Sequence, residues 1–197
     1  MTISLPWPKN RYGRWLKNIS QSFLYNAVRS RGQVTPFRSV VFVCKGNVCR
    51  SAYAEYFFKS AMKGGMVRIH SCGLDVQVRS SAPGAALSVA RLKGLNLDDH
   101  LSKGVAYCDF DNADLILAME FWQYRMLVRL FPHKKSSIRL LRDFAPFPEN
   151  LLCNIDDPFG KDVTEFERCF QQIERSLRNL MAQFPEKNIT RATRMVI

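Results

Sequence analysis

Residues 39–57, SVVFVCKGNVCRSAYAEYF, constrain this chain more than any other stretch. The run SVVFV is β-branched and aromatic and reads as a buried strand. Cys44 closes it, five loop residues follow, and Arg50 and Ser51 open a run with helical spacing. A strand that passes through a short loop into a helix is the first half of a parallel crossover, and parallel sheets are covered on both faces. In such sheets ligands sit outside the carboxyl ends of the strands, which puts a binding site at the loop after this strand.

The same alternation continues along the chain. The spacing predicts a helix from Ser51 to about Lys63, stopped by Gly64 and Gly65, then a strand over 66–70. A helix from Ala85 to Lys93 ends at Gly94, and DLILAM (114–119) is a third strand. A helix from Phe121 to Phe131 stops at Pro132, and SIRLL (137–141) is a fourth strand. From Thr164 to Phe184, Phe166, Phe170, Ile173, Leu177, Leu180 and Phe184 recur at steps of three and four, the mark of one helix face. The expected fold is a single α/β domain with a four-stranded parallel sheet, helices on both faces and a phosphate-binding loop after the first strand. Its expected limits are residues 39–184, between an N-terminal arm (1–38) and a basic tail (185–197).

Three features suit the loop to a phosphate group. Backbone N–H groups of Lys45, Gly46, Asn47, Val48 and Cys49, with a helix N-terminus behind them, converge on an anion. Arg50 offers two parallel N–H bonds to phosphate oxygens, which a lysine does not. The same positive surroundings favour a thiolate at Cys44, and Ser51 is placed to donate its hydroxyl to the sulfur. Gly46 permits a positive φ and Asn47 tolerates one. A cysteine and an arginine with five residues between them is a weak signal by itself in a chain with six cysteines; its setting between strand and helix makes the signal specific. The bland alternative is an anion-binding turn with an incidental cysteine.

Composition narrows the rest. The chain is 47% hydrophobic and 12% aromatic, as a globular protein should be. No apolar run approaches the roughly 20 residues of a membrane-spanning helix, and the opening MTISLPWPKNRYGRW has prolines and charges where a signal peptide is apolar. A cytoplasmic protein is expected. The cysteines at 44, 49, 72, 108, 153 and 169 are scattered, without the spacing of a zinc knuckle or a dithiol pair, which suggests reduced thiols. Of the net charge of +12, residues 1–38 contribute +7 with no acidic residue. No nucleic-acid motif accompanies that charge, and no nucleic-acid partner is expected.

CKGNVCRS resembles the signature of the low-molecular-weight protein tyrosine phosphatases, C-x-G-N-x-C-R-S. The similarity continues through HSCGLD (70–75), ADLILAME (113–120) and IDDPFG (155–160). It implies metal-independent, cofactor-free hydrolysis of phosphotyrosine through a phosphocysteine, with Cys44 as nucleophile and Arg50 as phosphate clamp. It implies that Asp157, before Pro158, is the general acid and base, with Asp156 as fallback. Ser71 and His100 match positions that brace the loop through Asn47 and Ser51, a structural role. Cys49 matches a second loop cysteine, either a reversible disulfide partner of Cys44 or a small buried filler. The partner implied is a phosphotyrosine protein, a bacterial tyrosine kinase among the candidates.

Several positions depart from the family pattern. Ala52 stands where proline is usual, and Cys72 replaces a smaller residue. The segment from Gly73 to Pro83 is short and lacks an aromatic cleft wall, leaving Phe159 as the one aromatic after Pro158. Stacking on a phenyl ring selects phosphotyrosine, so phosphoarginine and small phosphate esters stay open as substrates. Thiol-coupled arsenate reduction on the same fold is the redox rival. It relays a disulfide through further cysteines, and Cys108, Cys153 and Cys169 are far apart in sequence.

The arm places Tyr12, Trp15, Leu16, Ile19, Phe23 and Ala27 on one helical face, with Arg11, Arg14 and Lys17 mostly opposite. Either it packs its apolar face on the body with its charges in water, or it contacts an anionic membrane surface or an acidic partner.

Overall fold

Residues 11–30, 34–62 and 67–183 are described by a computed structural model. The expected helix stop at Gly64 and Gly65 and the tail 185–197 lie outside them. Strand β1 (Ser39–Cys44) is buried along its whole length because it has neighbours on both edges and layers on both faces. Its edges pair with β2 (Arg68–Gly73) and β3 (Leu115–Ala118), and β4 (Ile138–Leu140) completes a four-stranded parallel sheet of order β2-β1-β3-β4. On one face Val40, Phe42, Leu115 and Leu117 pack with α2 (Arg50–Ala61), α3 (Gly84–Leu92) and α5 (Val163–Gln183). On the other, Val41, Val43, Ile116 and Ala118 pack with α4 (Phe121–Leu130) and with Tyr25 of α1 (Arg11–Val28).

The predicted elements and their order hold, with small shifts at the ends. The one of consequence is β2, which runs to Gly73 instead of stopping at His70. Ser71, Cys72 and Gly73 are modest strand formers, but β1 offers backbone partners as far as the Cys44–Gly73 pair, and pairing overrides propensity. The extension carries Ser71 and Gly73 up to the loop. In α5 the expected stripe from Phe166 to Leu180 is buried, while Phe184 lies outside the described residues.

The N-terminal helix corrects the expectation most. It does pack on the body, but through its polar face. Ser22 Oγ accepts from Cys153 N at 2.9 Å, Asn18 Oδ1 accepts from Asn154 N at 3.2 Å, and Gln21 Oε1 accepts from Asn154 Nδ2 at 2.7 Å. Tyr25, 1% exposed, donates its hydroxyl to Asp143 and accepts from Leu140 N of the edge strand at 3.0 Å. Arg29 pairs with Asp143 at 3.0 Å. These body groups are buried and polar, and leaving one unpaired costs about 1–3 kcal/mol, which decides the orientation against the apolar face. Trp15, Leu16 and Phe23 consequently face out. The side chains of Arg11, Tyr12 and Arg14 lie outside the described set.

Candidate active site

Cys44 ends β1 at the carboxyl edge of the sheet, 3% exposed, and the loop 45–49 curls back over its sulfur. Asn47 N donates to Cys44 Sγ at 3.2 Å, and Ser51 Oγ lies 3.0 Å from it. The turn is made by Asn47, at φ 53°; Gly46 does not use the left-handed region, contrary to expectation, and a Cβ there would meet only Val48 at 3.8 Å. Asn47 is the hub that holds this conformation. Its Nδ2 donates to Ser51 Oγ at 2.9 Å and Ser71 Oγ at 2.7 Å, while its Oδ1 accepts from Lys103 N at 2.8 Å.

Behind that hub stand His100 and Glu55. His100 Nε2 lies 2.7 Å from Asn47 O, a carbonyl that can only accept, so Nε2 carries the donated proton; burial lowers the imidazole's pKa. Ser71 donates to Glu55. Burial works to raise the Glu55 carboxyl, but hydrogen bonds from Lys59 and Ser71 and the Lys103 charge outweigh it and hold it low. Gly73 supports the loop by close approach. A Cβ on it would lie 2.6 Å from Lys45 O and 2.9 Å from Asn47 N, so no side chain fits there.

Arg50 opens α2 almost fully buried, at 1% exposure. Its Nη1 donates to Glu120 Oε2 at 2.7 Å and Ile155 O at 2.9 Å, and its Nη2 pairs with Asp157 Oδ2 at 2.7 Å. Burial opposes the guanidinium charge, but Glu120, Cys44 and Asp157 outweigh it and raise its pKa. Nε is left without a partner, the one such buried side-chain nitrogen or oxygen among the described residues. A buried cationic N–H is a strong donor for an anion, and its orphan state is costly without one.

Asp157 itself is about one-third exposed, and its Oδ1 accepts from Phe159 N at 3.2 Å. Asp156, the fallback acid, does not line the cleft that holds Cys44; it lines neighbouring grooves with Lys17 and with Trp15 and Pro158. Cys44, Arg50 and Asp157 share a cleft of about 410 Å³ with Lys45, Val48 and Cys49. Phe159, 61% exposed, stands at this cleft, and Val76 and Val78 line it where an aromatic wall was missing from the sequence.

Residues 39–191 match the profile of the low molecular weight phosphotyrosine protein phosphatases. The chain belongs to this family. It is 32% identical over 142 residues to the low molecular weight protein-tyrosine-phosphatase Wzb of Salmonella typhi, covering 72% of this chain and 91% of that one. Among solved structures, the tyrosine phosphatase amsI of Erwinia amylovora superposes with a TM-score of 0.68 at 27% identity, over 78% of this chain and 97% of the other. The YwlE arginine phosphatase of Geobacillus stearothermophilus gives a TM-score of 0.69 at 26% identity, over 78% and 96%. The protein is a phosphatase, and the arsenate-reductase alternative gains no support from these relatives.

In this phosphatase the cysteines are closer in space than in sequence. Cys49 and Cys169 are buried in one core cluster with Cys44, and burial pushes both of their thiols far up. Cys72 and Cys108, distant in sequence, perturb each other's thiols, raising the first and lowering the second. Distance along the chain was therefore a poor guide to which thiols meet.

Sequence reasoning missed three contributors. Glu120 lies two residues past the end of β3, and an acidic residue beyond the carboxyl end of a strand beside β1 was a usable signal. Gly73 gave none, because its reason is the approach of another segment's backbone. The polar face of α1 was hidden by reading its apolar face as the one that packs.

Proposed function

We propose that the protein hydrolyses phosphotyrosine on protein substrates through a phosphocysteine on Cys44. The thiolate attacks phosphorus while Asp157 gives its proton to the departing phenolic oxygen. Arg50 and the N–H groups of residues 45–49 hold the phosphoryl oxygens as charge shifts onto them. In the second half Asp157 takes a proton from water as the water oxygen attacks phosphorus. The P–S bond breaks, releasing inorganic phosphate and restoring the thiolate.

The observation that carries this reading is the convergence on one cleft of Cys44, with Asn47 N and Ser51 Oγ on its sulfur, and of Arg50 joined to Asp157. Cytoplasmic phosphotyrosine proteins are the proposed substrates, a bacterial tyrosine kinase among them. The test is hydrolysis of phosphotyrosine peptide with chelator present. Wild type should turn over, Cys44→Ser should not, and rapid quench should trap a phosphorylated thiol. Absence of turnover by the reduced wild type would overturn the proposal.

A second reading, phosphoarginine, rests on the aliphatic wall of Val76 and Val78 and on the similarity to an arginine phosphatase. Faster hydrolysis of phosphoarginine peptides than of phosphotyrosine peptides would favour it.

A further inference from the structure

The face that α1 turns outward is mostly apolar, with Ser20 and Asn26 its exposed polar members. Leu16 and Phe23 are 60% and 74% exposed, and Ala27 continues their line at a step of four. Leu24 beside them is 57% exposed, and Trp15 and Val28 flank the stripe. Scattered apolar residues on a surface need no explanation, but a stripe along one helix does. Rolling the helix over would not hide it cheaply. The polar face would then leave Cys153 N, Asn154 N and Leu140 N without the partners that Ser22, Asn18 and Tyr25 provide. The orientation is thus fixed by the body, and the stripe remains for something else to cover.

Charge selects among the occupants. Residues 1–38 carry seven basic and no acidic residues in a chain of net charge +12. Two of the seven, Lys17 and Arg29, are turned toward carboxylates of the body. A second copy docked through the same face would oppose two basic segments. An anionic bilayer offers hydrocarbon to the stripe and negative headgroups to its surroundings. No helix among the described residues is long and apolar enough to cross a membrane, so the contact would lie in the interfacial plane. We propose that α1 docks this phosphatase on an anionic lipid surface through Leu16, Phe23 and Leu24. The inference stands apart from the substrate assignment and uses no catalytic residue.

The full-length protein is sedimented with phosphatidylcholine vesicles with or without phosphatidylglycerol, alongside the double variant Leu16→Glu/Phe23→Glu. Aryl phosphate hydrolysis serves as the check on folding, since neither side chain touches the cleft. Wild type should bind the phosphatidylglycerol vesicles, bind the neutral ones weakly, and lose binding as salt is raised. The double variant should bind at least about tenfold more weakly, from loss of two buried apolar side chains, with hydrolysis unchanged. Equal binding by both proteins would assign any attraction to charge alone and overturn the role of the stripe. Failure of wild type to bind at all would overturn the proposal outright. A dimer in sedimentation velocity that the double variant disperses would give the face to a second copy instead.

Discussion

Asp157 Oδ2 sits 2.7 Å from Arg50 Nη2, so the proposed acid and the proposed phosphate clamp neutralise each other across the cleft. A phosphoryl oxygen approaching Arg50 competes with the carboxylate for that N–H. Asp157→Asn removes the competitor together with the proton source. We predict that kcat for phosphotyrosine peptide falls by about 10²–10⁴. Inhibition by inorganic phosphate should be as tight as in wild type, or tighter. Weaker phosphate inhibition would mean that Asp157 chiefly holds Arg50 in place.

Gly73→Ala should also slow the reaction, by a steric route. An added methyl would lie 2.6 Å from Lys45 O and 2.9 Å from Asn47 N, both backbone atoms of the proposed phosphate loop, so relief requires the loop to move. Displacement of a reacting group by about 1 Å is worth on the order of 10² in rate. Gly73→Ala should lower kcat/KM by about that factor while leaving the far-ultraviolet circular dichroism unchanged. Rates near wild type would show that the loop gives way without cost.

How much of this was legible in advance depends on what each residue answers to. The loop 44–51 and the Asp-Pro turn are local in sequence, and so were readable. The sheet followed from the alternation of strand and helix patterns, because pattern alone fixes which faces are buried. Gly73 and Glu120 answer to atoms brought in by other strands, and no periodicity reports that. The reversal of α1 was illegible for a related reason. Amphipathicity tells which face is apolar, whereas the body presented Cys153, Asn154, Leu140 and Asp143 as polar groups in need of partners.

His100 gives a pH dependence of stability. Burial lowers its pKa from 6.5 more than the hydrogen bond to Asn47 O and the nearby Glu55 raise it, with Lys103 and Lys59 adding to the fall. The unfolded state therefore binds more protons near and below that value, and stability rises with pH there. The contribution is complete above about pH 6.5 and is lost as pH falls toward the folded value. His100→Gln keeps a donor for Asn47 O without the titration. Between about pH 7 and pH 5, the Tm of wild type should fall more steeply than that of His100→Gln. Parallel curves would show that His100 titrates alike in both states.

Through the segment it clamps, α1 reaches toward the candidate cleft. Ser22 and Asn18 hold the N–H groups of Cys153 and Asn154, and the next residue, Ile155, gives its carbonyl to Arg50 Nη1. Asp157 follows two positions later. Ser22→Ala leaves the buried Cys153 N unpaired, a cost of about 1–3 kcal/mol that lowers Tm by ~2–10 °C in a domain of this size. A purely structural brace would stop there, with activity per folded molecule unchanged well below Tm. Because the clamped segment runs straight into the support of Arg50 and the turn carrying Asp157, kcat should also fall, by about tenfold in Asn18→Ala/Ser22→Ala. Ser22→Thr retains the hydroxyl and should restore most of the rate lost in Ser22→Ala. Loss of stability without loss of kcat in the double variant would confine α1 to a scaffold role and separate it from the chemistry.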